Sequence, residues 1–321
     1  MRRSRFGFVL APVLALLLLA GVRQLASQPQ PNQPQPAQRL RIPDDVEVVR
    51  DVEFGKGGER ALKLDIVRPK NLPKTPTPVV VFIHGGGWRR GNKTAGIVRL
   101  IPLAQRGYFG ATIDYRLSDE AIFPAQIEDC KCAIRFLRAK AKEYKLDAKH
   151  IGVWGTSAGG HLVALLGTSG GAKDLEGKGG WEKESSRVQA VVDCFGPTDF
   201  LKLIEDAKKS GRSVEQLKRI GAASPINQLL GGPFWEKEDA CRRASPVTYV
   251  TKDDPPFLIL HGDQDPLVPL SQSEVLNDDL KKAGVKTTLH VVKGAGHGWF
   301  RGHPEVDQMV MAFFDQNLKK Q

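Results

Sequence analysis

A set of short apolar runs constrains this chain more than any other feature: Val79–Ile83, Tyr108–Ile113, Ile151–Trp154, Val188–Phe195 and Phe257–Leu260, each bounded by glycine, proline or polar turn residues. A strand reads this way only when both its faces are covered, as in a parallel sheet sandwiched between helices. Leu289–Val292 is a weaker example. Helical stretches fall between the runs, including Ala125–Tyr144, Ala158–Leu166, Ser271–Lys282 and Pro304–Leu318. Ahead of them, Val46–Phe54 and Ala61–Arg68 alternate apolar and polar residues around Lys56-Gly57-Gly58, the pattern of an antiparallel hairpin. The expectation is an α/β fold: a mostly parallel, eight-stranded sheet with helices on both faces. Residues 198–245 break the rhythm and read as a small cap insertion. In such sheets chemistry sits in the loops at the carboxyl ends of the strands.

The first part of the chain does not share this pattern. A basic start (Arg2, Arg3, Arg5) precedes an uncharged apolar run from Phe6 to Val22, the layout of an export signal. Residues 1–26 are expected to be a signal peptide or an N-terminal membrane anchor, and residues 27–41, rich in Gln and Pro, an extended linker. The domain is then 42–321, and the location periplasmic or secreted, with or without anchoring. Residues 1–38 also carry four arginines and no acid; the rest holds 43 basic against 36 acidic residues. That excess is scattered, with no basic stripe interleaved with aromatics, which argues against a nucleic-acid partner. Cys130, Cys132, Cys194 and Cys241 are too few for a disulfide scaffold and read as small buried residues, with Cys194–Cys241 as one optional bridge. Cys130-x-Cys132 lacks further ligands and implies no metal. No cofactor is implied either.

Two glycine motifs follow two of the strand runs. Gly155-Thr156-Ser157-Ala158-Gly159 comes directly after Ile151–Trp154 and opens a helix, so Ser157 occupies a sharp strand-to-helix turn. An isolated match of this kind is often a serine capping a helix; its position after a buried strand favours a nucleophile. His84-Gly85-Gly86-Gly87-Trp88 follows Val79–Ile83 and is far sharper, arising by chance in about one chain in ten thousand of this composition. Its glycines allow backbone amides to approach a developing negative charge. The N–H groups of Gly86, Gly87 and Ala158 are the expected oxyanion donors. His84 reads as a brace for the loop.

A nucleophilic serine needs a base, and imidazole titrates near neutrality. His297 stands out, on the small-residue loop Gly294-Ala295-Gly296-His297-Gly298 after the last strand, with His303 the nearest competitor. His161 lies one helical turn past Ser157 and reads as helix packing. For the carboxylate, Asp265 in His261-Gly262-Asp263-Gln264-Asp265-Pro266 is favoured over Asp263, which sits closer to the strand end. The order Ser157, Asp265, His297 is the one this topology requires. Trp88, Tyr115 and Trp299, with Phe195, Phe234 and Trp235, are candidates for the substrate rim.

On these residues the chain resembles bacterial α/β-hydrolase esterases, both the hormone-sensitive-lipase-related group and the BD-FAE-like carbohydrate esterases. The likeness runs from about Val46 to Phe314 and includes HGGGW (84–88), DYRLS (114–118), GTSAGGHLVALLG (155–167), GPTDF (196–200), ASPVTYV (244–250), HGDQDPLVP (261–269) and GAGHGW (294–299). Thr156 stands where lipase relatives usually carry aspartate, and the acid motif also differs, so the carbohydrate-esterase branch is the nearer one. The resemblance implies a serine carboxylesterase acting on small esters, including acetyl or feruloyl esters of polysaccharides. Two rival readings rest on the same residues: an amidase, peptidase-like enzyme or formamidase, and a binding module on a retired hydrolase.

Overall fold

The computed structural model describes residues 40–209, 224–298 and 303–319. The expected signal or anchor, nearly all of the linker, part of the cap and Trp299 therefore lie outside the described residues. Eight strands form one sheet: β1 (Val46–Gly57), β2 (Arg60–Pro69), β3 (Thr77–Ile83), β4 (Phe109–Ile113), β5 (Leu146–Thr156), β6 (Ala190–Cys194), β7 (Phe257–Gly262) and β8 (Thr287–Val292). Their order is β1-β2-β4-β3-β5-β6-β7-β8. Strand β2 runs antiparallel to β1 and β4, and every other pairing is parallel.

Nine helices connect them among the described residues: α1 (Ile97–Gln105), α2 (Ala125–Ala139), α3 (Ala141–Tyr144), α4 (Ala158–Thr168), α5 (Phe200–Lys209), α6 (Pro225–Leu230), α7 (Glu238–Ala244), α8 (Ser271–Lys282) and α9 (Pro304–Leu318). Because successive side chains point to opposite faces of a strand, the continuous apolar runs divide between two cores. Val79, Val81 and Ile83 of β3 join α2, α4 and α8 on one face. Val80 and Phe82 join Trp154 of β5 and helices α1 and α9 on the other. This two-sided burial is the physical reason the central strands read as uninterrupted apolar segments.

The same division explains a correction. All four cysteines are buried and free, and the optional Cys194–Cys241 bridge does not form. Cys194 belongs to the core on the α1/α9 face, where the Trp154 indole N–H donates to its sulfur. Cys241 belongs to the core on the opposite face, and its Sγ donates to the Phe234 carbonyl. The sheet lies between them.

Between β6 and β7 the chain leaves the sheet through α5, α6 and α7 before rejoining it at Phe257. The departure is capped locally: the Asp199 carboxylate accepts from the N–H groups of Leu201 and Lys202 at the start of α5. Helix α6 opens on Ser224, whose hydroxyl accepts from Ile226 N–H, followed by Pro225 in the first turn.

Candidate functional site

Ser157 directly follows β5 and caps α4 with φ 55° and ψ −120°, a backbone geometry that ordinary side chains rarely adopt. The turn is held where the Ser157 N–H donates to the Cys194 carbonyl at 2.9 Å. Its glycines are required by packing: a Cβ on Gly155 would lie 2.2 Å from the Gly159 carbonyl oxygen, and one on Gly159 would lie 2.1 Å from the Ile83 carbonyl oxygen. The strand carrying the second motif thus presses directly against the serine turn, and this contact brings HGGGW and GTSAG together.

Three side chains from distant stretches meet there. The Ser157 hydroxyl donates to His297 Nε2 at 2.9 Å, and His297 Nδ1 donates to Asp265 Oδ2 at 2.6 Å. The other Asp265 oxygen accepts from the N–H groups of Leu267 and Val268, at 2.8 and 2.9 Å. Asp265 has no solvent-exposed side-chain surface, while the His297 side chain is 17% exposed. Burial alone would raise the Asp265 pKa. Hydrogen bonds from His261, His297, Val268 and Leu267 outweigh that and hold the carboxyl well below the usual carboxylate range. The site therefore contains a permanent anion behind an imidazole whose far nitrogen faces a hydroxyl.

The competing residues have other partners. Asp263 accepts from Gly294 N–H and so ties the end of β7 to the start of the histidine loop. His303 precedes α9 and pairs with Glu305. His161 is fully buried: the Trp88 indole N–H donates to its Nδ1 at 3.1 Å, and its Nε2 donates to the Ala244 carbonyl at 2.7 Å. Burial pushes its pKa down to about 4, which keeps it neutral. His84 donates from Nδ1 to the Gly85 carbonyl and stacks on Tyr115.

In the glycine loop, Gly86 and Gly87 have φ of 117° and 63°, and a Cβ on Gly86 would lie 2.1 Å from the Arg90 carbonyl oxygen. Ala158 begins α4, so its N–H has no partner within the helix. Gly86, Gly87, Ala158, Ser157 and His297 all line one cavity of about 510 Å³.

Of the expected rim residues, Trp88 and Phe195 line the cavity, and Tyr115, Phe234 and Trp235 do not. Tyr115 is buried and donates to the His84 carbonyl at 3.1 Å, so it supports the glycine loop from behind and does not line the cavity. Trp88 touches the cavity, but its ring is buried between His161 and Phe200. An aromatic beside a motif carries no signal of which way it points. Phe195 does line the cavity, with its ring 4.6 Å from that of His297, whereas Phe234 and Trp235 pack on one another outside it. The walls that sequence reading passed over are Leu203, Pro225, Ile226, Leu267 and Val268, together with Arg89 and Arg90. Arg89 and Arg90 directly follow HGGGW, and Leu267-Val268 lie inside the acid motif, so motif adjacency was the available signal. Among the described residues no group of three or more His, Cys, Asp or Glu side chains is arranged to hold a metal.

The sequence model of the BD-FAE family matches residues 64–280. The esterase LipC of Mycobacterium tuberculosis is 32% identical over 247 residues, covering 76% of this chain and 58% of LipC. The chain thus spans little more than half the length of that curated relative. A truncated form of a carbohydrate esterase from gut microbiota superposes with a TM-score of 0.74 at 34% identity, covering 85% of this chain and 97% of the other. A propionate-bound thermophilic esterase, Est2 of the planctomycete Thermogutta terrifontis, gives 0.67 at 26% identity, covering 85% and 93%.

Proposed function

The chain belongs to the BD-FAE family, and from that premise we propose that it is a serine carboxylesterase acting through Ser157, His297 and Asp265. The observation that carries this reading is the single imidazole bridging the Ser157 hydroxyl at 2.9 Å and the Asp265 carboxylate at 2.6 Å. His297 Nε2 takes the Ser157 proton as Oγ bonds to the ester carbonyl carbon, and the carbonyl π electrons move onto its oxygen. The N–H groups of Gly86, Gly87 and Ala158 receive that oxyanion; each such donor is worth about 3 kcal/mol in comparable hydrolases. Collapse breaks the bond to the alcohol, which leaves with the proton from His297. Water then repeats the sequence on the acyl-enzyme: His297 takes its proton, and the acid departs from Ser157. Asp265 holds the ring in the required tautomer and stabilises its charged form.

The apolar walls Leu203, Ile226, Leu267 and Val268 suit a short acyl chain or an aromatic acyl group. The structural neighbour described as a carbohydrate esterase supports an ester of a carbohydrate as the substrate, and acetyl or feruloyl esters of polysaccharides are the proposed examples. The basic and apolar pattern of residues 1–22 supports export, where such polymers occur. Ser157→Ala is expected to abolish both turnover of 4-nitrophenyl acetate and labelling by a fluorophosphonate probe. Retention of either at near-normal levels would overturn the assignment.

A further inference from the structure

The lining of the cavity around Ser157 combines two unlike chemistries. Leu203, Ile226 and Leu267 are apolar, with Leu267 left 71% exposed. Arg89 and Arg90 line the same cavity and are both exposed. Arg90 starts beside the oxyanion loop, its Cγ 3.2 Å from where a Cβ on Gly86 would stand. A second depression of about 600 Å³ adjoins the first, sharing Arg89 and Ser224 with it. The second is otherwise lined by Asn227, Gln228 and the backbone around Gly231–Pro233. Among the described residues no aspartate or glutamate lines either space.

An ester presents two parts to such a site. The apolar lining suits the acyl group. The polar depression, entered past an arginine, suits an alcohol part with many hydroxyls and a negative charge. We propose that the preferred substrate is an acyl ester of a carboxylate-bearing saccharide, a uronic acid unit, whose carboxylate is met by Arg90. This rests on the esterase reading above and adds to it the charge of the alcohol. Cationic groups lining the cavity that holds the reacting serine strengthen binding and steer an anionic ligand inward, and salt weakens both effects.

The test compares two acetates of the same geometry, an acetylated methyl glucuronoside and the corresponding acetylated methyl glucoside, with the full chain. At about 0.02 M salt kcat/KM is expected to favour the uronate about fivefold to tenfold, mainly through KM, and the preference should shrink towards unity at about 0.5 M. Arg90→Glu should reverse the preference and Arg90→Lys should keep it in the same direction. General damage to the fold would lower both rates together and leave their ratio unchanged. Equal rates for the two acetates, or a ratio untouched by Arg90→Glu, would overturn the proposal. Preference for 4-nitrophenyl hemisuccinate over 4-nitrophenyl butyrate, without a uronate preference, would overturn the assignment of the charge to the alcohol side. Failure to turn over 4-nitrophenyl acetate at all would instead remove the esterase reading, so the two failures are separable.

Discussion

Two carboxylates end up at the carboxyl ends of neighbouring strands, Asp193 in β6 and Asp265 just beyond β7, and both side chains are out of solvent. Burial pushes Asp193 up to about 6. It has one hydrogen-bond donor, Gly196 N–H at 3.0 Å, and among the described residues its Oδ2 has no partner. Asp265 is driven the other way because its oxygens accept from His297 and from the amides of Leu267 and Val268, with His261 close by. The charge state of a buried acid is therefore decided by its donors more than by its depth. A loop can provide several donors in a short stretch, as Pro266–Val268 does after Asp265. A residue within a strand, whose backbone amides are committed to neighbouring strands, cannot.

The largest expected effect tests whether the donor-rich end is where the charge matters. Asp265→Asn keeps the shape but removes the anion that selects the tautomer of His297, and kcat is expected to fall roughly 10³- to 10⁴-fold. Asp193→Asn should produce nothing comparable, and an equal loss would break the comparison. The pH profile sharpens it. The folded pKa of Asp265 lies below its unfolded value, so its contribution is complete above the ordinary carboxylate range and is lost only on acidification below that range. Between about pH 8 and 5 Asp265 should therefore stay ionised and cause no loss of structure, which circular dichroism across that range checks.

The next effect concerns stability. Asp193 has its folded pKa raised from 3.8 to about 6, so the native state keeps a proton that the unfolded chain has released. Stability tied to this group is present at low pH and lost as pH rises through that window, by about 3 kcal/mol. Asparagine cannot ionise. The stability of Asp193→Asn relative to wild type, from urea unfolding, should rise by about that amount between pH 4 and 7 whatever its constant offset. His161 works in the opposite direction. Its folded pKa is lowered from 6.5 to about 4, so its stabilisation is complete above 6.5 and disappears as pH falls towards 4. His161→Gln should remove a slope of similar size and opposite sign. A pH-independent difference for either variant would show that its buried group does not carry the charge-state cost described here.

How much of this was legible beforehand depended on how far a residue's environment is written into its neighbours. β3 and β7 were readable because both faces are buried, which leaves no polar residues among Val79–Ile83 or Phe257–Leu260. β8 was faint because it is the sheet edge, with Val291 39% exposed. Helix α1 was passed over, since it is short and carries Pro102 inside it. Ser157 and His297 were marked by small flanking residues, which a side chain presented on a sharp turn requires, whereas Asp265, between Gln264 and Pro266, was marked only by its place in the loop after β7. Tyr115 had no such marker, and its orientation was set by His84, thirty-one residues earlier. The cavity walls from α5 and α6 were invisible for the same reason: which face of a cap helix meets the site depends on how the cap folds back, and local periodicity does not encode that. The opposite charge states of Asp193 and Asp265 were equally hidden, since hydrogen-bond donors are counted in space.

The smallest effect probes whether the donors around Asp265 act in graded fashion. Ser273, in the first turn of α8, donates to His261 Nδ1 at 2.6 Å, while His261 Nε2 donates to the Val268 carbonyl at 2.9 Å and lies 3.4 Å from Asp265 Oδ2. The serine hydroxyl therefore fixes the proton on the nitrogen that faces the carboxylate. Ser273→Ala leaves that buried nitrogen without its donor, at a cost of about 1–3 kcal/mol in stability. It also frees the ring to move its proton to Nδ1, which would turn a lone pair towards Asp265 and Val268. Asp265 would still accept from Leu267, Val268 and His297, so kcat should fall only about twofold to fivefold with KM unchanged, and threonine at the same position should restore it. A loss as deep as that of Asp265→Asn would mean that His261 alone holds the carboxylate in register. No loss at all would mean that the two loop amides are sufficient and that His261 serves only to pin Val268.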